Sequence, residues 1–312
     1  MMKPSPVILR LLLGFVVTWF ANVAMAGYPL VANQGKRLCW FDASGNLVGQ
    51  MTLRAAPHDI HVLPSGNVLT HQGTEVIEID AESREIIWSF DTKALASAEK
   101  VELHSVGLLA NGDLMVALSG EGKLFEIDRK GVVNRTFDFK LEHPHPHRDT
   151  RLVRLVPRGD QWSYLVAHEG DGMVREYDRD GGILWEYDVP MFGKKPKGGH
   201  GPDAFGDAVF SALRLPNGNT LIGTGNGHSV LEVTPEKEIV WQVHQDDIEG
   251  VRLAWVTTLQ PRSNGNLIIG NCHAGPDQPQ LVEIDRNKSL VWSFRDFRNL
   301  GNAVSNSVVD CD

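Results

Sequence analysis

The segment Leu213–Val243, LRLPNGNTLIGTGNGHSVLEVTPEKEIVWQV, shows the pattern on which the fold prediction is based. It holds an apolar strand, a tight Asn217-Gly218 turn, two further apolar strands and a fourth strand around Trp241. An Asn-Gly pair between two apolar runs is a strong hairpin signal, because the turn requires positive φ. The later GTGNGH segment does not predict a phosphate-binding loop, since a strand follows it instead of a helix. The stretch therefore predicts a four-stranded antiparallel unit.

The same unit occurs five times along the chain. Its turn glycines are Gly66, Gly112, Gly159, Gly218 and Gly265. Its third strand ends at Asp80, Asp128, Asp178, Thr234 and Asp285, and four units carry a tryptophan soon afterwards, at Trp88, Trp185, Trp241 and Trp292. A large ring at one repeated position fills the space between neighbouring sheets, so we expect these tryptophans to be core residues.

An incomplete copy of the unit stands at each end of the chain. YPLVANQGKRLCWFDASGNLVGQMTL supplies a second, third and fourth strand, and GNAVSNSVVDCD supplies one more strand. Combining them completes a sixth unit and closes a ring without an open edge. The sequence thus predicts an all-β fold, a six-bladed β-propeller of four-stranded antiparallel blades over residues 27–312, whose first blade is closed by the C-terminal strand.

Residues 1–26 resemble a cleavable secretory signal. Lys3 and Arg10 precede the apolar run Leu11–Phe20, and Ala24-Met25-Ala26 forms a small-x-small cleavage site. We therefore expect a periplasmic or secreted protein with no membrane contact after cleavage; an uncleaved membrane anchor is the alternative. The formal net charge of −9 argues against nucleic acid as a partner.

Three cysteines, Cys39, Cys272 and Cys311, are too few for a disulfide framework. The sequence leaves open whether Cys39 and Cys311 form one bridge or all three thiols stay unpaired.

The repeat EIDAESREIIWSF resembles the quinoprotein-like (PQQ-like) propeller repeat, and HDIHVLPSGN (His58 to Asn67) is similar to arylsulfotransferase-like propellers. The resemblance covers essentially the whole chain after residue 26 and implies the propeller fold. Quinoprotein alcohol dehydrogenases have eight blades and adjacent cysteines, which this chain lacks, so a quinone cofactor is doubtful. The cofactor stays unassigned.

One face of the predicted disc concentrates polar side chains. Innermost strands start on this face and second strands end on it, while the Asn-Gly turns lie on the other face. The catalytic residue is not identified, and its candidates are His58, His71, His168, His228 and His273. The predicted ligand-binding residues are Asp59, His104, Arg151, Asp207, Asn226, Arg252, Trp255 and Asn271. Any one histidine could simply bond to backbone, but the group as a whole predicts a ligand site.

The chemistry of these residues suits a small anionic or carbohydrate ligand. Arg151, Arg252 and the histidines can bind an anion, and Trp255 can stack on a sugar ring. Asp59, Asp207 and Glu169 could instead bind Ca²⁺, whereas the histidine-rich surroundings would fit a transition metal better. No ligand spacing recurs, so the sequence assigns no metal residues.

Two inserts break the repeat. Glu142 to Arg151, EHPHPHRDTR, reads as an extended inter-blade loop, because its prolines splay the alternate histidines apart. The second insert enters blade five on the polar face and is predicted to form either a lid or a plain surface loop. It spans Met191 to Asp207, MFGKKPKGGHGPDAFGD.

Two classes of function follow. The first is an exported propeller that binds a small anionic or glycan ligand, or a protein partner, at the mouth of its channel. The second is an enzyme at the same site: a sulfotransferase with a histidine nucleophile, a quinone- or metal-dependent oxidoreductase, or a lactonase. The sequence does not decide whether the protein is an enzyme.

Overall fold

A computed structural model describes residues 27–309 and shows six four-stranded antiparallel sheets. The first blade contains β1 (Leu30–Gln34), β2 (Arg37–Phe41), β3 (Leu47–Thr52) and the distant β24 (Ser307–Val309). The second contains β4 (Ile60–Val62), β5 (Val68–Gln72), β6 (Glu75–Ile79) and β7 (Ile86–Asp91). The third contains β8 (Glu102–Leu108), β9 (Leu114–Ser119), β10 (Lys123–Ile127) and β11 (Val133–Asp138).

The remaining blades follow the same order. The fourth contains β12 (Val153–Arg158), β13 (Gln161–His168), β14 (Met173–Tyr177) and β15 (Ile183–Asp188). The fifth contains β16 (Ser211–Arg214), β17 (Thr220–Gly223), β18 (Val230–Val233) and β19 (Ile239–Val243). The sixth contains β20 (Trp255–Pro261), β21 (Leu267–Cys272), β22 (Leu281–Ile284) and β23 (Leu290–Phe294). The six-bladed propeller predicted from the sequence is confirmed.

The ring closes as the two incomplete copies predict. Strand β24 pairs antiparallel with β1, in the register Leu30 with Val309 and Ala32 with Ser307. The C-terminal strand is therefore the innermost strand of the first blade. Residues 1–26 and Cys311 lie outside the described residues, so the signal stays a prediction and the pairing of Cys39 with Cys311 stays open.

The repeated acidic and aromatic positions join neighbouring blades. The third-strand residue Glu126 is 1% exposed, and it accepts hydrogen bonds from Tyr164 (2.6 Å) and from Nε of Arg179 (2.8 Å) in the next blade. Trp185 donates its indole N–H to the carbonyl of Pro235 in the following blade. The repeated tryptophans are half-buried, and each packs against a hydrophobic core cluster between blades, as the sequence predicted: Trp88, Trp185, Trp241 and Trp292.

Helical structure is confined to two single turns in the described part of the chain, a 3-10 turn η1 (Thr92–Leu95) and α1 (Phe297–Leu300). No helix between residues 27 and 309 is long and apolar enough to cross a membrane.

Candidate functional site

A cavity of about 140 Å³ opens at the face where innermost strands begin. It is lined by residues at innermost-strand starts, at the end of a second strand and in the two inserts: His58, His147, Arg151, His200, Phe210, Trp255, Thr257, Cys272, His273 and Ser305. We call it the mouth cavity. The structure thus brings together four predicted residues, His58, Arg151, Trp255 and His273, and their role in binding or catalysis stays a prediction.

Three imidazoles and one carboxylate lie at one wall of the mouth cavity. The ring centroids of His58 and His104 are 4.6 Å apart, and those of His104 and His147 are 5.3 Å apart. Oε2 of Glu102 lies 3.0 Å from Nε2 of His104 and 2.6 Å from Nδ1 of His147. Burial lowers the pKa of His104, against the effect of Glu102. Burial also lowers the pKa of His58 well below its usual value, and the nearby His104, His71 and Arg151 side chains lower it further.

His104 is aimed at Glu102 by an irregularity in its strand. The pairing of β8 with β9 steps from Leu103 opposite Leu118 to Ser105 opposite Ala117, so His104 is the bulged residue. Such bulges redirect side chains and are frequent beside functional sites. Nδ1 of His104 lies 2.7 Å from the carbonyl oxygen of Thr150, to which it donates its hydrogen. Its other ring nitrogen, Nε2, faces the Glu102 carboxylate at 3.0 Å.

A buried guanidinium forms the next part of the wall. Arg151 is 5% exposed and binds Glu169 through Nε, while its Nη2 lies 2.9 Å from Nε2 of His147. Arg148 also donates to Glu169, at 3.0 Å. Two guanidiniums therefore share one carboxylate. Within residues 27–309, no protein acceptor contacts Nη1 of Arg151, so this donor is available to a ligand.

Aromatic rings form the opposite wall. His200 lies over Trp255 at a centroid distance of 4.9 Å and beside His273 at 5.1 Å. Because His200 belongs to the 191–207 insert, this segment folds against the mouth of the channel. Lys197 and Phe205 pair their backbones in an antiparallel bridge, which makes the insert an ordered flap over one side of the cavity.

Asp59 and Arg154 occupy the channel below the mouth cavity. Asp59 is fully buried, and both its carboxylate oxygens accept hydrogen bonds of 2.9 Å from Arg154. Burial alone would raise the pKa of Asp59, but Arg154 and His61 outweigh it and hold this pKa well below the usual range. Asp59 was a predicted ligand residue; the structure uses its carboxylate to join the second blade to the fourth.

Five of the predicted residues form hydrogen bonds with nearby backbone groups at the polar face of the disc. Nε2 of His71 accepts the N–H of His58 at 2.7 Å, and His168 bonds to the carbonyl of Asp149 and the hydroxyl of Tyr177. The remaining braces are His228 between the carbonyls of Ala204 and Ala254, Asn226 on the N–H of Ala208, and Asn271 on the N–H of Ala254. His71, His168 and Asn271 lie at the ends of second strands, whereas Asn226 and His228 lie in the turn that follows β17. The structure therefore does not bring these five into the mouth cavity.

Asp207 and Arg252 lie apart from the cavity. Both are exposed, and Arg252 pairs with Asp203 at 3.4 Å on the rim. The alternative of a calcium site formed by Asp59, Asp207 and Glu169 is not supported. Asp59 forms an ion pair with Arg154, and Glu169 forms ion pairs with Arg148 and Arg151. Asp207 is exposed.

Glu102, His147, Arg154 and His200 were missed by the sequence analysis. Glu102 stands two residues before His104 in the same strand, which was an available signal. His147 reaches the cavity because the 142–151 insert turns back: Asp149 accepts N–H groups from Gly120 and His145. His143 and His145 remain exposed, and the turn at residues 146–148 corrects the expectation of an extended loop.

A larger cleft of about 640 Å³ lies on the opposite face, beside the Asn-Gly turn at Gly218. Its charged residues are already paired, because Glu176 binds both Arg158 and Arg214. This cleft is therefore the contact between blades four and five. The arginine donor that has no protein acceptor within residues 27–309, Nη1 of Arg151, lies at the mouth cavity instead.

The fold defines a β-propeller of PQQ-like repeats. A family model described as "Outer membrane protein assembly factor BamB" matches residues 34–293, and the chain belongs to this family. No curated protein matches the sequence.

Three solved structures share the fold. A protein of unknown function from Bacteroides caccae is 23% identical, with a TM-score of 0.72 over 89% of this chain and 97% of the other. A streptogramin B lyase is 11% identical, with a TM-score of 0.58 over 89% and 85%. A virginiamycin B lyase from Staphylococcus aureus is 12% identical, with a TM-score of 0.52 over 79% and 72%. At these identities the likeness concerns the fold alone.

Proposed function

We propose that this protein is exported and binds a small acidic sugar, or a similar ring-shaped carboxylate or sulfate, in the mouth cavity. The observation that carries the proposal is Arg151, a buried guanidinium that keeps Nη1 free of protein acceptors within residues 27–309. Such a donor binds a carboxylate or sulfate through strong charge-assisted hydrogen bonds. Residues 1–26 support export, since they have the pattern of a secretory signal.

The opposite wall supports a ring-shaped ligand. Trp255 and the imidazoles of His200 and His273 present flat faces and polar edges beside one another. Because His200 covers the indole, a sugar ring would pack against His200 and His273, and its hydroxyl groups would bond to the imidazole nitrogens. The cavity of about 140 Å³ has room for a single small ring, so we expect a monosaccharide-sized ligand or one end of a longer chain.

A thermal-shift screen tests this proposal. Glucuronate, galacturonate and sulfated monosaccharides would be compared with glucose at equal concentration. At ten times its Kd, a ligand stabilises the folded state by about 1.4 kcal/mol, which raises the Tm by about 3 °C. We expect His200→Ala to reduce the shift and His244→Ala, on an imidazole outside the cavity, to preserve it.

The screen can also contradict the proposal. Absence of a shift with every acidic sugar, or a shift equally preserved in His200→Ala, would count against the mouth cavity as the site. Release of phenol from an aryl sulfate by the purified protein would instead support the enzyme hypothesis.

A further inference from the structure

We propose that His58, Glu102 and His104 bind a divalent transition-metal ion, such as Zn²⁺, at the wall of the mouth cavity. One ligand atom from each residue lies within 4.8 Å of the other two. Tetrahedral zinc with bonds near 2.1 Å places its ligand atoms about 3.4 Å apart. The pair formed by His104 and Glu102 is already at 3.0 Å, so only the His58 ring has to approach.

The arrangement of hydrogens around Glu102 points independently to a cation. Arg151 donates to Nε2 of His147, so the hydrogen of that ring is on Nδ1 and is donated to Oε2 of Glu102. His104 spends its Nδ1 hydrogen on the carbonyl of Thr150. Its Nε2 therefore points at a carboxylate oxygen, at 3.0 Å. The space between these two atoms takes a cation, either a proton on Nε2 or a metal ion bound to both atoms.

The surroundings match those of metal-binding histidines. Such a histidine usually donates its second ring nitrogen to a carbonyl or carboxylate, which fixes the orientation of the ring, and metal-bound carboxylates are themselves hydrogen-bonded. Thr150 fulfils the first role for His104, and His147 fulfils the second for Glu102. For His58, no hydrogen bond of the ring is found among the described residues, so its nitrogens are available.

The ligand set identifies the class of ion. Two imidazoles and one carboxylate favour a borderline divalent ion such as zinc over calcium or magnesium, which prefer oxygen ligands. Three protein ligands leave at least one coordination position open. This position would face the mouth cavity, because His58 lines that cavity together with Arg151.

A bound cation would also strengthen the proposed function. Without it, Glu102 places a negative charge opposite the site of an acidic ligand; with it, that charge is neutralised and the open position can take a carboxylate oxygen. This consequence rests on the proposed function, whereas metal binding itself does not.

The test is calorimetric titration of the chelator-treated protein with Zn²⁺, in the absence of any sugar. We expect one ion per chain, and at least about a 100-fold weaker Kd in His58→Ala and in Glu102→Gln, since even partners outside the ligand set cost 10–100-fold. His244→Ala, at an imidazole outside the mouth cavity, should bind zinc like the wild type. Absence of zinc binding, or equal binding by Glu102→Gln, would overturn the proposal.

Glu102→Gln also serves in a thermal-shift measurement. The glutamine oxygen can accept from His147, and its amide N–H can donate to Nε2 of His104, so the variant should fold. We expect zinc to raise the Tm of the chelator-treated wild type and to leave the Tm of this variant unchanged. An equal rise in both proteins would overturn the proposal. Intact zinc binding without any sugar-induced shift would refute only the ligand proposal.

Discussion

Arg154 holds both carboxylate oxygens of Asp59 at 2.9 Å across the central channel, and thereby links the fourth blade to the second. Asp59 is fully buried and the Arg154 side chain is 19% exposed. Removing one partner of a buried ion pair leaves the other charge uncompensated, which costs more than the pair itself contributes. The pair therefore holds the second and fourth blades together beneath the mouth cavity.

Asp59→Asn should lower the free energy of unfolding by about 3 kcal/mol, because Arg154 then lacks its counter-charge. Urea unfolding measures this change. Arg135→Gln is the matched control, since Arg135 pairs with an exposed Asp180 on the outside of the ring. Its cost should stay under about 0.5 kcal/mol, and equal costs for the two variants would refute the role given to the channel pair.

His168 should make stability depend on pH. Burial lowers its pKa from 6.5 to about 4, and the neutral ring binds Asp149 and Tyr177. Between these two values the unfolded state binds more protons than the folded state, so the free energy of unfolding falls as the pH falls from 6.5 to 4. The loss should be on the order of 3 kcal/mol.

Urea unfolding at pH 7.5 and pH 4.5 measures this dependence. His168→Gln should be less stable at pH 7.5 and show a flatter pH profile, whereas His244→Gln should keep the wild-type profile. A wild-type profile in His168→Gln would mean that another group dominates.

Gly225 should be irreplaceable beside the channel. Its φ is +56°, and a Cβ there would lie 2.0 Å from the carbonyl oxygen of Ala208. Gly250 also has positive φ, at +75°, but a Cβ there meets no atom within 4 Å. Gly250→Ala should therefore cost only the conformational strain of about 1 kcal/mol, and Gly225→Ala several times more. Similar losses in Tm for the two variants would contradict this explanation.

The sequence predicted the fold because the blade is a local unit. The turn at Gly218, the third-strand carboxylate and the tryptophan recur at fixed offsets, and the incomplete ends imply closure. The face that carries the mouth cavity also followed from strand direction. These features depend on periodicity and turn chemistry, both of which are present in short stretches.

Which residues line the mouth cavity could not be predicted from the repeat. His71 and His58 look alike in sequence, yet one ring binds backbone and the other lines the cavity. The difference lies in which way each ring points, and this depends on contacts distant in the chain. His147 and His200 reach the cavity only because their inserts fold back over the channel, which no repeat predicts.

We propose that Arg151 binds the acidic group of a small ligand. Calorimetric titration of two arginine variants with that ligand measures this directly. With the best acidic sugar from the screen, Arg151→Gln should bind roughly 10- to 100-fold more weakly, as expected for a lost charge-assisted hydrogen bond. Arg252→Gln, on the same face but outside the cavity, should bind like the wild type. Unchanged affinity in a folded Arg151→Gln protein, or loss of affinity in Arg252→Gln alone, would contradict the account.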